Sequence, residues 1–220
     1  MICDFDGTVS TVDIGNRVLN RFTENKWQDI DRGYITGEVG SREAYAKGAP
    51  LFRGGREEVL DYCLETERID PYFVDFYRFC RDQGIDLIIA SDGFDFYIEA
   101  VLSKYNLTEI AFFSNHAEFH ENGSLSFSFP AMNDDCGKCG ACKNTVLQRH
   151  RAVYDRIIYV GDGHSDVCPS QKADLVFAKR VLYEKCLENQ TACIPYENFR
   201  DVRQYLMDHF DIEGEPATKK

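Results

Sequence analysis

From residue 85 onward, short apolar runs alternate with stretches of helical periodicity. Residues 85–90, 157–160 and 175–178 read as strands buried on both faces, with helical segments between and after them. Just upstream, Phe73, Phe76, Tyr77 and Cys80 recur at i, i+3, i+4 and i+7. Asp70-Pro71 can cap and open that helix, and Gly84 can end it. Phe94, Tyr97, Ile98, Val101, Leu102 and Tyr105 form another helical stripe, which puts Ser91-Asp92-Gly93 in the turn between a strand and a helix. Ala117 and Phe119, then Asn122-Gly123, then Leu125, Phe127 and Phe129 predict a β-hairpin, as a side feature. Buried strands separated by helices mean an α/β protein with a doubly wound parallel sheet.

Residues 13–68 follow a different pattern. Helix-compatible stretches fall at 14–22, 27–34, 41–49 and 56–64, and no strand is evident. This predicts a helical cap inserted after the first strand, leaving residues 1–12 and 69–212 as the α/β core. Residues 213–220 lack an apolar stripe and are expected to form a flexible tail.

Composition narrows the partners. With 44% apolar and 13% aromatic residues in 220, the chain can bury a sizeable core. No apolar run reaches the roughly 18 residues that a membrane-spanning helix needs, and no leader is read at Met1, so a cytoplasmic protein with no membrane partner is expected. A net charge of −12 argues against a nucleic-acid backbone as partner. Nine cysteines, an odd number without a leader, point to reduced thiols.

The chemistry sits in two acidic turns. Asp4-Phe5-Asp6-Gly7-Thr8 follows the apolar start of the chain, and Gly161-Asp162-Gly163-His164-Ser165-Asp166 follows the strand ending at Val160. In a parallel sheet, residues past the carboxyl ends of neighbouring strands meet in one crevice. Four carboxylates gathered there repel unless a cation or shared protons intervene, and oxygen ligands of this kind suit Mg²⁺. Such an ion would seat a phosphate beside Asp4, the candidate nucleophile. Asp6, two residues on, could protonate the leaving oxygen and later activate water. Ser91 can donate to a phosphoryl oxygen, and Lys143, opening a helix, can add positive charge. Each motif alone is ordinary turn, cap or surface chemistry; the ordered set is not.

The set resembles the haloacid dehalogenase-like phosphatase superfamily. Asp4-Phe5-Asp6-Gly7-Thr8 is similar to its first motif, Ser91 to its second, Lys143 to its third, and Asp162 with Asp166 to its fourth. The cap length and the Cys-Gly-Ala-Cys-Lys run before Lys143 resemble the phosphoserine phosphatase-like branch. The resemblance implies a phosphoaspartyl intermediate at Asp4, acid/base work by Asp6, and Mg²⁺ held by Asp4, the backbone carbonyl of Asp6 and Asp162, with Asp166 at or behind the metal. It also implies a small phosphorylated metabolite as substrate: a keto-pentenyl phosphate of methionine salvage, phosphoserine, or a phosphocholine- or phosphoethanolamine-like ester. Thr8, Asp92, Gly93, Asp13, Arg17 and Arg42 are the substrate-binding candidates. The reading of another class is a non-catalytic protein that only binds phosphorylated ligands.

Cys136, Cys139 and Cys142 carry the two-residue spacing with which a loop can wrap a zinc ion. Three thiols are one short of a closed site. His116, Asp134, Asp135 or Cys168 would have to complete a structural zinc.

Overall fold

The computed structural model describes residues 1–210. The tail expected at 213–220 lies outside the described residues. Seven strands form one sheet: β1 (Ile2–Cys3), β2 (Ile88–Phe94), β3 (Phe112–Phe119), β4 (Leu125–Ser128), β5 (Ile158–Gly161), β6 (Leu175–Ala178) and β7 (Ile194–Pro195). Their order is β4-β3-β2-β1-β5-β6-β7. Every pairing is parallel except that of β3 with β4.

Although only two residues long, β1 lies at the centre, with Cys3 in register with Ile89 on one side and Val160 on the other. Its shortness costs little burial, because Ile2 and Cys3 are both enclosed. Side chains alternate between the two faces. Cys3, Ile89, Val160 and Phe177 pack into the larger core, and Ile2, Ala90 and Tyr159 into a second cluster with Val146 and Leu147. Helices α5 (Phe73–Asp82), α6 (Asp95–Lys104) and α10 (Phe199–His209) supply the first face, and α7 (Lys143–Arg151) the second.

The joint between α5 and α10 is aromatic. Phe199 is fully buried, with its ring 4.8 Å from that of Phe73 and 4.9 Å from that of Phe76. Truncating it leaves a cavity that rigid neighbours cannot fill, so Phe199→Ala is expected to lower unfolding stability by about 3–5 kcal/mol in denaturant titrations. The acidic turns after β1 and β5 lie elsewhere, and any activity they carry should survive below the new transition.

Residues 13–68 carry α1 (Ile14–Phe22), α2 (Trp27–Ile35), α3 (Ser41–Gly48), a 3₁₀ turn at Ala49–Leu51 and α4 (Arg56–Thr66). The chain leaves and returns at adjacent points: Ser10 bridges to Ile69, and Thr11 N donates to Arg68 O at 2.6 Å. Short helices α8 (Val167–Ser170) and α9 (Arg180–Glu188) complete the fold.

Three local readings are corrected. β2 runs through Ser91-Asp92-Gly93 to Phe94 instead of ending at Ala90. From Ala90 to Phe94, β2 advances four residues while its partners on β3 advance two, from Phe113 to Asn115, so an irregular bulge carries Ser91 at the strand end. The hairpin is no side feature, since β3 begins at Phe112 and pairs with β2, making β3 and β4 the edge of the main sheet. Strand β7 was not expected, because two residues ending in proline carry no periodicity.

Candidate active site

Strand β1 ends at Cys3 and β5 at Gly161, so the two acidic turns emerge side by side, with Asp4 N donating to Val160 O at 2.9 Å. Asp4, Asp162 and Asp166 each place a carboxylate oxygen within 4.8 Å of the other two. Gly7 permits this approach. Its φ of +83° lies in the left-handed region, and a Cβ there would stand 2.6 Å from Asp162 Oδ1.

Lys143 joins the carboxylates. It opens α7, where the helix dipole disfavours a cation, and it is buried. Its Nζ lies 2.6 Å from Asp4 Oδ1 and 2.6 Å from Asp166 Oδ1. Burial works against its charge, but Asp166 and Asp4 hold its pKa above the usual lysine range. Burial pushes the Asp4 carboxyl up, with Asp166 adding to the rise and Lys143 opposing it. Burial and Asp166 likewise raise Asp162, against Arg180 and Lys179. For Asp166, burial is outweighed by Lys143, Tyr159 and backbone donors, and its pKa is held below the carboxylate range.

Asp166 uses all its lone pairs. Oδ1 accepts from Lys143 Nζ and Tyr159 OH, both at 2.6 Å, while Oδ2 accepts from Asp162 N and Gly163 N, both at 2.9 Å. Asp4 Oδ1 accepts from Phe5 N and meets Lys143, and Oδ2 has no donor among the described residues. Asp162 accepts one bond per oxygen, from Thr8 Oγ1 at 3.1 Å and Arg180 Nη1 at 3.1 Å. The fold family implies a magnesium ion, and this donor set fits one. Three buried carboxylates face one buried ammonium, and the free oxygen positions on Asp4 and Asp162 are hard ligands.

These groups open into a cavity of about 410 Å³ between the strand ends and α1, α2 and α3. Asp4, Asp6, Asp13, Ser91, Asp92, Gly93, Lys143 and Asp162 all line it. Ser91 Oγ accepts from Gly93 N at 2.9 Å, which leaves its O–H free to donate. Asp6 is half-buried, with Oδ1 accepting from Ile14 N at 2.8 Å and Oδ2 from the Tyr97 hydroxyl. Burial, reinforced by Asp13 and opposed by these donors, pushes its carboxyl up to about 7, a value suited to proton transfer near neutrality.

Three expected substrate contacts, Thr8, Arg17 and Arg42, lie outside the cavity lining, and a fourth, Asp92, is held by the scaffold. Thr8 is fully buried and holds Asp162. Asp92 lines the cavity, but its Oδ1 accepts from Ala141 N at 2.9 Å and Asn115 Nδ2 at 3.1 Å, so it anchors the loop that presents Lys143. Arg17 turns away to Thr66 O, and Arg42 to Gly137 O and Met132 Sδ. Neither arginine lines the cavity. Arg180, which does, was missed, although a basic pair at the end of β6 was the available signal.

A structural zinc at the cysteine loop finds no support. Among the described residues, Asp4, Asp162 and Asp166 are the only group of His, Cys, Asp or Glu whose ligand atoms converge. Cys136 is exposed and Cys142 buried, and all nine thiols are free. Ala131 O accepts from Cys142 N at 2.9 Å, Arg42 binds Gly137 O, and Cys136, Cys142 and Cys168 lie near Cys139 without bringing their sulfurs together as one ligand set.

Residues 51–206 match the family model described as Putative Phosphatase. The 2-hydroxy-3-keto-5-methylthiopentenyl-1-phosphate phosphatase of Brevibacillus brevis is 28% identical over 209 residues, covering 94% of each chain. That of Bacillus velezensis is 29% identical over 206 residues, covering 92% of this chain and 87% of its own. A phosphoserine phosphatase solved as a phospho-aspartyl intermediate analogue superposes with a TM-score of 0.71 at 20% identity, covering 93% of this chain and 96% of that one. A HAD family hydrolase from Salmonella enterica gives 0.74 at 18%, covering 95% and 71%. The fold is that of the haloacid dehalogenase-like phosphatases.

Proposed function

This chain belongs to the Putative Phosphatase family, and from that premise we propose that it is a Mg²⁺-dependent phosphomonoester hydrolase working through a phosphorylated Asp4. The observation that carries the reading is the convergence of Asp4, Asp6, Ser91, Lys143 and Asp162 on one cavity. Asp4, the backbone carbonyl of Asp6 and Asp162 would hold the ion, which supplies positive charge against the phosphoryl oxygens. Asp166, saturated by donors, orients Lys143 and the Asp162 turn instead of binding the ion.

A carboxylate oxygen of Asp4 attacks phosphorus, and the bond from phosphorus to the ester oxygen breaks. The ester oxygen takes a proton from the Asp6 carboxyl, releasing the alcohol. Water then attacks the aspartyl phosphate, giving its proton to Asp6, so that inorganic phosphate leaves and both aspartates return to their starting states. Ser91 and Lys143 bind phosphoryl oxygens as negative charge shifts. Residues 13–68 serve as the cap, which excludes bulk water and selects the leaving group. A cytoplasmic setting with reduced thiols belongs to the same reading.

The keto-pentenyl phosphate named for the relatives is the first substrate to test. A specific observation favours a second. The wall supplied by residues 13–68 presents Trp27, Tyr34 and Tyr45 with Asp13 and Asp31, and no lysine or arginine. Aromatic faces and carboxylates suit a cationic leaving group, whereas the carboxylate of phosphoserine would meet no counter-charge there. Activity should vanish with a chelator and return with Mg²⁺. Across a panel, kcat/KM should be lowest for phosphoserine and higher for both the keto-pentenyl ester and phosphocholine; a preference for phosphoserine would overturn this assignment of the cap wall.

A further inference from the structure

Tyr97 sits on α6 and is completely buried, yet its hydroxyl donates to Oδ2 of Asp6, on the far side of the carboxyl from the Ile14 N–H. By periodicity Tyr97 is only part of an apolar stripe. Two glycines clear its path. A Cβ on Gly93 would overlap the Tyr97 hydroxyl and lie 2.6 Å from Asp6 Oδ2, and a Cβ on Gly15 would lie 3.0 Å from the same hydroxyl. A strand end, the first turn of α1 and the first turn of α6 therefore converge to seat one phenol against one carboxyl.

We propose that Tyr97 is a positioning residue that fixes the Asp6 carboxyl in the orientation needed to pass its proton to the leaving oxygen. A side-chain carboxyl has two free torsions, and loss of near-attack geometry by about 1 Å can cost on the order of 10²-fold in rate. The backbone N–H of Ile14 holds one oxygen, but the plane of the carboxyl is set only when the second oxygen is held as well. A buried phenol needs a hydrogen-bond partner, and here the partner is the group that handles the proton. Tyr97 does not touch the ester; it acts through Asp6.

The proposal rests on the reading of Asp6 as proton carrier, and the test separates the two. Aryl phosphates differ in how much their leaving oxygen needs a proton, phenyl phosphate more than p-nitrophenyl phosphate. The parameter to read is kcat/KM, which covers steps up to departure of the alcohol. Tyr97→Phe removes a single oxygen and is expected to lower kcat/KM for phenyl phosphate by up to about 10²-fold, with a much smaller loss for p-nitrophenyl phosphate. Asp6→Asn should show the same dependence more steeply, and adding Tyr97→Phe to Asp6→Asn should cost nothing further. Equal losses on both esters in Tyr97→Phe, or none, beside a steep dependence in Asp6→Asn, would overturn the role of Tyr97 alone. No leaving-group dependence in Asp6→Asn would overturn the reading of Asp6 itself. Should Tyr97→Phe fail to fold, Gly15→Ala displaces the hydroxyl while keeping every donor, and the same pattern is expected, with a flat loss counting against the proposal.

Discussion

Asp4→Asn is expected to lower kcat/KM for p-nitrophenyl phosphate by roughly 10⁴–10⁶-fold, the scale seen when a nucleophile is removed from a site whose parts act together. The amide keeps the shape of the carboxyl, and its oxygen can still accept from Phe5 N and Lys143, the two donors that Asp4 Oδ1 now meets. It cannot form an acyl phosphate. The native carboxyl is crowded by Asp166 and Asp162, so losing its charge relieves repulsion as well as weakening the pair with Lys143. The melting temperature should therefore change little. Steady-state assays beside a thermal melt would check both halves, and hydrolysis at even a hundredth of the native rate would contradict covalent catalysis at this position.

Lys143→Met should damage both stability and turnover. Methionine fills the volume of the lysine stem without its charge, leaving Asp4 and Asp166 close together with no ammonium between them. Removing one partner of a buried ionic cluster costs about 3–5 kcal/mol. A divalent cation can neutralise part of that charge, so the loss should be largest in chelator and smaller with Mg²⁺. Turnover should fall by roughly 10²–10³-fold, as when one donor to a developing anion is lost. Asp166 keeps Tyr159, Asp162 N and Gly163 N, so the fourth-motif turn stays in place. Melts with and without Mg²⁺ would measure this difference directly, and equal destabilisation in both would argue that the carboxylates do not share an ion.

Much of the fold can be read from pattern because long apolar runs have few alternatives. Strand β6 and helix α1 fall where periodicity puts them. Strand β2 overruns its expected end because Ser-Asp-Gly is turn chemistry in isolation, whereas in the sheet its neighbours on β3 keep pairing beyond Ala90. Local propensity lost to tertiary pairing there. The acidic turns were legible because strand ends in a parallel sheet converge whatever the intervening chain does. The cavity wall from residues 13–68 was not, because which face of a helix there looks inward depends on packing. Arg17 and Arg42 have the right charge for a phosphate ester, yet both spend it on backbone carbonyls. Tyr97 was indistinguishable from a core aromatic, since its function lies in one hydroxyl reaching through space kept open by Gly93 and Gly15. The cysteine spacing left the zinc reading open: regular intervals fix how far apart thiols can be, not which way a loop turns them.

The direct test is to trap the covalent species. Protein mixed with Mg²⁺ and a rapidly cleaved aryl phosphate, quenched in acid within one turnover and digested, should yield a phosphorylated peptide carrying Asp4. Borohydride reduction should convert that acyl phosphate to homoserine at position 4. A phosphoryl group on any other residue, or none on the protein during a turnover that releases phosphate, would contradict the mechanism.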